Sequence, residues 1–517
     1  MSFRRPLSWL LGLIVTGIVV ATAVTILPPL TPTTHANPTA ATYCPPLDPP
    51  TGPTITVNNQ ADLTNQATNA AAGTTIWIAP GTYNMSSYVH IIHNGIDLRG
   101  QTGNRDDVIL DFGGMISGQF GILVDADDVT IADLTIRNAA EHGVSVQARD
   151  RTILYNLHIL DINNQLVKVN PTEDRSRSSE AGLLACSRLE YTTTAPDNYT
   201  NGISAHDAHG WVVRDNEWVR ILTSDGTPVP AVLFWNNSSD TIVERNFFLD
   251  CGRGVAFGLN NGHTGGIVRN NMFLFREPHD VAIEMADATG WLVAHNTAVL
   301  LNPASGLTWG MEARFDTTQG SFVNNLSNMA IWVDRDGAQA TSSSDVTNAQ
   351  TSWFVDALNG DLHLAAGATA VIDQASPAPQ VTDDFDGDTR PIGSSPDVGA
   401  DEYGIAPPTA VTDLHITQTI TTTDTLTATL TWTPPANAIT TTIRYANSPI
   451  TEANWNSAPL LTDSLAGDVD EYTAVIPYTG STLYFALKTG NDGGISALSN
   501  NIFWPQNTVF LPIVLHS

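Results

Sequence analysis

From about Thr75 to Val333 the chain repeats a short phrase: an apolar pair, two variable residues, then Asn or Asp. The copies are TIAD ending at Asp133, TILYN at Asn156, WVVRDN at Asn216, TIVERN at Asn246, GIVRNN at Asn271 and WLVAHN at Asn296. They are separated by 23, 60, 30, 25 and 25 residues, and the step of 60 holds a degenerate copy, GLLACSRLEYT, with Cys186 at its midpoint. Before each copy runs a short stretch such as GISAHDAHGWVV, AVLFWNNSSDTIV or GMEARFDTTQGSFV, in which apolar and polar positions alternate with period two. Period-two alternation predicts strands, and a repeat of about 25 residues with no helical period predicts about ten stacked coils rising about 4.8 Å each. The fold class is therefore all-β. Asn recurring at one place per coil can bond its neighbours above and below, so these asparagines are read as structural.

The same alternation assigns faces. If Ile203, Ala205, Val232, Phe234, Ile283, Met285, Met311 and Ala313 point into the coil, then Ser204, His206, Leu233, Trp235, Glu284, Glu312 and Arg314 point out, with Lys168 and Asn170 outward on an earlier coil.

The TIVERN and GGIVRNN phrases resemble the parallel β-helix repeat of the pectin-lyase-like superfamily. The resemblance covers about half the chain and implies a right-handed parallel β-helix over residues 55–353. It is weak for the reaction, because this fold hosts lyases, glycoside hydrolases, epimerases and non-catalytic adhesins. ITVNNQADLTNQATNAAAGTTIWIAPGTY looks like an N-terminal cap closing the open end of such a helix. The acidic stretch 354–403, with DDFDGDTRPIGSSPDVGADEY, resembles a closing segment found after bacterial β-helices and is expected to cap the far end. Residues 406–503 carry short alternating strands, and Trp432 before Pro434-Pro435, IRYANSPI and TLYFALKTGND together resemble a fibronectin type III domain. That likeness implies a β-sandwich with Trp432 and Tyr484 in its core, serving as spacer or binding module.

The ends change the setting. Arg4-Arg5 followed by an apolar run from about Leu7 to Leu27 reads as a secretory signal over residues 1–36, with an uncleaved anchor as the alternative. The Ser/Thr/Pro-rich stretch 37–54 reads as a linker that folds against nothing. The tail 504–517 is apolar and reads as a last edge strand or a surface-retention tail. A secreted or cell-surface protein, monomeric and touching a membrane only through its ends, is the expected setting.

Formal charge is −30, split as −14 over residues 75–340 and −16 over residues 341–517. Such a surface excludes nucleic acid, which needs a basic patch. It disfavours polyuronate unless calcium or local arginines intervene. Three cysteines form no disulfide framework or zinc spacing, and Cys186 and Cys251 are read as core thiols.

Candidate chemistry falls on the outward face, where the insertion from Val169 to Ala181 and a second between Tyr191 and Gly202 border one cleft. A β-eliminating lyase needs a base for the proton α to a uronate carboxyl and a cation for the enolate. Lys168 can supply the base, with Arg175, Arg177 and Arg314 as cations and His206 or His209 as acid or base. Glu284 and Glu312, on adjacent coils, suit a retaining glycosidase pair or calcium, and a plain ion pair with Arg314 is the alternative. Trp235 can stack on a sugar, and Asn170 and Arg175 complete a substrate-binding set. Asp384, Asp386 and Asp388 alternate in a Gly-containing turn that suits calcium, with a turn salt-bridged to Arg390 as the alternative. The paired-Asp and Gly-His-Gly phrases of polygalacturonases are missing, as is the Trp-Ile-Asp-His phrase of the first pectate lyase family. The leading expectation is a secreted carbohydrate-active enzyme on an extracellular polysaccharide, lyase ahead of hydrolase; the rival is a non-catalytic adhesin or glycan-binding scaffold.

Overall fold

The computed structural model describes residues 44–116, 120–196, 198–302, 309–404, 407–422, 424–491 and 493–505. The expected signal segment and all but the first two residues of the apolar tail lie outside the described residues. Among the described residues, no helix is long and apolar enough to cross a membrane.

The alternating segments stack in parallel into a β-solenoid of about 9 turns. One sheet runs from Thr54–Val57 to Thr341–Ser343, a second from Gly81–Asn84 to Leu326–Ser327, and a third from Val89–Ile91 to Ala330–Arg335. Inward side chains of all three fill one continuous core, in which Trp218, Phe248 and Phe273 stack at 5.9 and 4.4 Å between ring centroids. The helix Gln60–Asn69 buries Leu63 and Ala67 against the first coils, its N-terminus capped by Asn59, whose side chain accepts from the Asp62 N–H.

Between the first and second sheets each coil turns sharply, and the turn separates two roles that the repeated phrase merges. Asp133, Asn156, Cys186, Asp215, Arg245, Asn270, His295 and Asn324 have positive φ, a conformation Asn and Asp tolerate best. The buried ladder sits one residue later. Asn216 donates to Asn246 Oδ1 at 3.0 Å, Asn246 to Asn271 at 2.9 Å, Asn271 to Asn296 at 2.9 Å, Asn296 to Asn325 at 3.0 Å and Asn325 to Asp345 at 2.9 Å. Asp133 and Asn156 are turn residues rather than ladder members, a correction to the expected alignment.

Three further expectations fail. Residues 44–48 do not hang free: Cys44 is disulfide-bonded to Cys186 across 142 residues, Tyr155 donates to the Pro45 carbonyl and Arg99 to that of Asp48. Cys186 stands at a left-handed turn with its side chain outside the coil, so it is not a core thiol. Cys251 is one, with its thiol pushed up to about 12 by burial. The acidic segment 354–403 does not cap the end. It packs Phe354, Leu362, Leu364, Val371 and Val398 on the outward Met272, Leu274, Val299 and Leu326 of the second sheet, and Arg245, Asn270 and Asn324 of the turn column bond its backbone or Asp383. It is a lateral buttress.

Beyond it, a three-stranded antiparallel sheet (His415–Thr421, Thr425–Thr431, Glu471–Pro477) packs on a second sheet containing Thr440–Ala446, Leu460–Ala466 and Leu483–Asn491. Trp432 is buried in this core. Tyr484 is not: Leu483, Phe485 and Leu487 point inward, which turns Tyr484 to the other face against Phe503.

Candidate active site on the third sheet

Register along the third sheet fixes which side chains share a face. Val167, Ile203, Val232, Val255, Ile283 and Met311 form one inward column and Val169, Ala205, Phe234, Phe257, Met285 and Ala313 another, all of them buried. The outward column between them reads Ser145, Lys168, Ser204, Leu233, Ala256, Glu284 and Glu312, ending at Trp332. The two insertions stand at opposite ends of these strands. Arg175 of the first donates to the Asn236 carbonyl at 3.4 Å, and Tyr191 and Thr200 of the second both bond the carbonyl of Asn164.

Lys168 lies between them on the outward column, 4% exposed. Its Nζ is 2.8 Å from Nε2 of His206 and donates to Ser204 Oγ at 3.2 Å. Among the described residues, no carboxylate lies within ion-pair distance of Lys168 or Arg175. Burial with no counter-charge lowers the Lys168 ammonium from its ordinary 10.5 to about 8, because the charged form has lost water and gained no anion. His206 falls to about 4, first from burial and then from Lys168 and Arg175; His142, which faces Lys168 from the preceding coil, falls to about 4 for the same first two reasons. Both imidazoles are uncharged at neutral pH. Trp235 covers His206 edge-on, with ring centroids 4.7 Å apart. Asn236 Nδ2 sits 3.1 Å from the other nitrogen of His206, and Asn236 Oδ1 accepts from Asn261 at 2.9 Å. Asn170 follows Lys168 on the same strand, half-buried.

Glu284 and Glu312 are another matter. Glu284 is fully buried, accepting from Arg253 Nη1 at 2.8 Å and from Arg314 Nη1 at 3.2 Å; Glu312, 1% exposed, accepts from Arg335 Nη1 at 2.5 Å. Arg335 in turn lies over Trp309 and Trp332. Arg314 is four coils past His206, about 19 Å at the coil rise, so it cannot act on the same sugar unit as Lys168. Arg177 is paired with Asp127 and Asp150, and His209 with Asp207 and Ser239. The structure thus joins Lys168, His206, Trp235 and Arg175, and leaves Glu284, Glu312 and Arg314 in a separate cluster.

The three aspartates of the buttress do not converge. Asp384 is buried and accepts from the backbone N–H groups of Asp388 and Glu402, and burial raises it well above the usual carboxylate range. Asp386 faces His363 Nε2 at 2.9 Å, and His363, Asp386 and Asp401 are the one group among the described residues whose metal-capable atoms lie within 4.8 Å of one another. Arg390 pairs with Glu402 and bonds four backbone carbonyls instead of bridging the turn.

His142, Asn236 and Asn261 were not anticipated. Asn236 and Asn237 follow Trp235 with φ of 58° and 80°, so WNNSS was a legible turn signal, but nothing local shows that the turn folds back on His206.

No protein-family model matches the chain, and no curated protein matches it significantly. Among solved structures, pectate lyase Pel9A superposes with a TM-score of 0.50 at 13% identity, covering 68% of this chain and 97% of its own. An alginate lyase from Paenibacillus sp. str. FPU-7 superposes with a TM-score of 0.42 at 15% identity, covering 57% of this chain and 99% of its own. The first likeness shows a shared fold, a parallel β-helix.

Proposed function

We propose that the protein is an exported polysaccharide lyase that cleaves a uronate-containing glycan by β-elimination, with Lys168 as the base and Arg175 as the cation that meets the uronate carboxylate. The observation that carries this reading is a buried lysine on the outward column of the third sheet, without a carboxylate partner among the described residues, whose amine is half free near pH 8. General-base catalysis is most effective when the pKa of the base lies near the working pH. In the reaction the Nζ lone pair takes the proton on the carbon α to the carboxylate, a carbon–carbon double bond forms, and the glycosidic C–O bond breaks toward its oxygen. The leaving oxygen takes a proton from water, and the guanidinium of Arg175 offsets the charge that builds on the carboxylate. Trp235 and Asn170, beside Lys168 and His206, are assigned to hold the sugar.

Hydrolysis by Glu284 and Glu312 is the weaker reading, because two carboxylates sealed by three arginines offer no face to a sugar and no room for water. Export is supported by the Cys44–Cys186 disulfide, since such bonds persist in oxidising compartments. We assign the terminal sandwich to the fibronectin type III type and to spacing or docking.

The test is a panel of polyuronates and neutral polysaccharides, read by the ultraviolet absorbance of unsaturated uronate and by reducing-sugar release, with Lys168→Met beside the parent and calcium present or chelated. Absorbance from the parent and none from the variant is the expected result. Reducing ends without absorbance would assign a hydrolase, and silence in both from a folded protein would leave the glycan-binding scaffold.

A further inference from the structure

Donors and acceptors around Lys168 can be counted. A neutral imidazole has one N–H and one bare nitrogen. Asn261 Nδ2 donates to Asn236 Oδ1 and so turns the Asn236 amide to present its own Nδ2 to His206 Nδ1. Nδ1 then accepts, and the imidazole proton must sit on Nε2, the atom 2.8 Å from Lys168 Nζ. A donor there has one partner it can use, the lone pair of an unprotonated amine. Reversing every bond gives the opposite state: an ammonium donates to a bare Nε2, the proton moves to Nδ1, and both asparagine amides turn over. Backbone geometry holds the chain together in either direction: Asn236 sits in a left-handed turn whose carbonyl is pinned by Arg175.

We propose that His206 and Asn236 are positioning residues that lock the protonation of Lys168 to the tautomer of His206, so that the free amine exists with the Nε2–H imidazole and the ammonium with the Nδ1–H form. The consequence for catalysis, which rests on the lyase reading, is that the free amine rests with its lone pair on the Nε2–H of His206, so Nζ turns from His206 to take the substrate proton and the tautomer change follows. The proton accepted by Nζ leaves an ammonium; the Nε2 proton is lost and Nδ1 gains one through exchange with water, so the relay holds no net proton beyond that on lysine. The charged or titratable groups facing Lys168 are His206 on the next coil and His142 on the preceding one, with Arg175 beyond His206; among the described residues no carboxylate joins them.

The chain holds two lysines, Lys168 and Lys488, and Lys488 lies in the sandwich against Glu452. In Lys488→Arg protein labelled with ¹⁵Nζ-lysine and ring-¹⁵N histidine, Lys168 gives the single amine signal. The expected result is that His206 changes from Nδ1–H to Nε2–H at the pH where Lys168 deprotonates, with one shared midpoint. An unchanged tautomer across the lysine titration, or an Nδ1–H form beside the free amine, overturns the lock. Asn236→Leu removes the bias that the Asn261-set amide places on the Nε2–H form, and the Lys168 midpoint is expected to rise, by less than about one unit because the turned-over amide serves the ammonium state as well; no movement in a variant that melts like the parent also overturns it. Neither readout uses substrate. A locked titration in a protein that cleaves no glycan sinks the lyase reading alone, and an unlinked titration in an active enzyme sinks the lock alone.

Discussion

The Lys168 and Glu284–Glu312 regions of the outward column lie on one parallel sheet and reach opposite electrostatic solutions. Around Lys168 a basic group is buried with neutral partners, Ser204 and His206, and its ammonium is driven down toward neutral pH. Around Glu284 and Glu312, about 19 to 24 Å further along at the coil rise, buried carboxylates are matched by Arg253, Arg314 and Arg335. A paired ion is held in one state. An unpaired amine is left able to change state, and general-base chemistry requires such a change. The acidic composition sharpens the contrast, because among a surplus of carboxylates none of the described ones reaches Lys168.

The largest expected effect breaks the comparison at its reactive end. Lys168→Met keeps the length and apolar stem of the side chain and removes the amine, and turnover on the cleaved glycan should fall about 10²- to 10⁴-fold, the range of a lost general base. Thermal unfolding should show no loss of stability, since the substitution replaces a desolvated amine by a thioether. A variant that keeps a tenth of parental turnover would remove Lys168 from the chemistry.

At the other end the effect is on folding. Glu284→Gln leaves Arg253 and Arg314 facing a neutral amide in a site with no exposure, and stripping one partner from a buried pair costs about 3 to 5 kcal/mol. Denaturant titration should show that loss while turnover per folded molecule near room temperature stays within a few-fold of the parent. Loss of turnover at full stability would move Glu284 into the reaction.

Parts of this contrast were legible in the sequence. Period-two alternation fixed which residues face out, since a single-residue slip would put Val167, Phe234 and Met285 in water. What faces what across the groove was hidden. Glu284 meets Arg253 because the two lie on adjacent coils in a register that the repeat length alone leaves open, and Asn236 reaches His206 through a turn whose path depends on two consecutive positive-φ asparagines. The merging of turn and ladder had a similar origin, because Asn suits both a left-handed bend and a buried amide stack. The Cys44–Cys186 bond joins residues 142 apart, beyond any local pattern.

Acidity sharpens the comparison further. Lys168 must be unprotonated to act, so turnover should rise with pH on a limb centred at about 8, with His206 and His142 adding nothing above about 4. The linkage has a definite sign. The folded value of Lys168 lies below the unfolded 10.5, so the unfolded chain binds more protons between about 8 and 10.5, and Lys168 makes stability rise with pH across that window. Subtracting the melting profile of Lys168→Met from that of the parent isolates this contribution. A flat difference, or a limb at the ordinary lysine value, would show that Lys168 is solvated.

The smallest effect tests whether the two ends serve one ligand. Trp332 closes the outward column, 41% exposed, edge-on to Trp309 with centroids 5.1 Å apart and backed by Arg335. It lies six coils from Lys168, about 29 Å, which a short oligosaccharide bound at Lys168 cannot span and a polymer can. An exposed indole held rigid by a second ring and a guanidinium suits the apolar face of a sugar, and such a contact far from the reacting atoms changes binding without changing the transition state. Trp332→Ala is therefore expected to raise KM two- to fivefold on polymer, leave kcat unchanged, and leave both constants unchanged on the shortest oligosaccharide that is cleaved. Equal KM effects on long and short substrates would place the indole's influence in the fold, and no effect on either would confine the glycan to the Lys168 end of the groove.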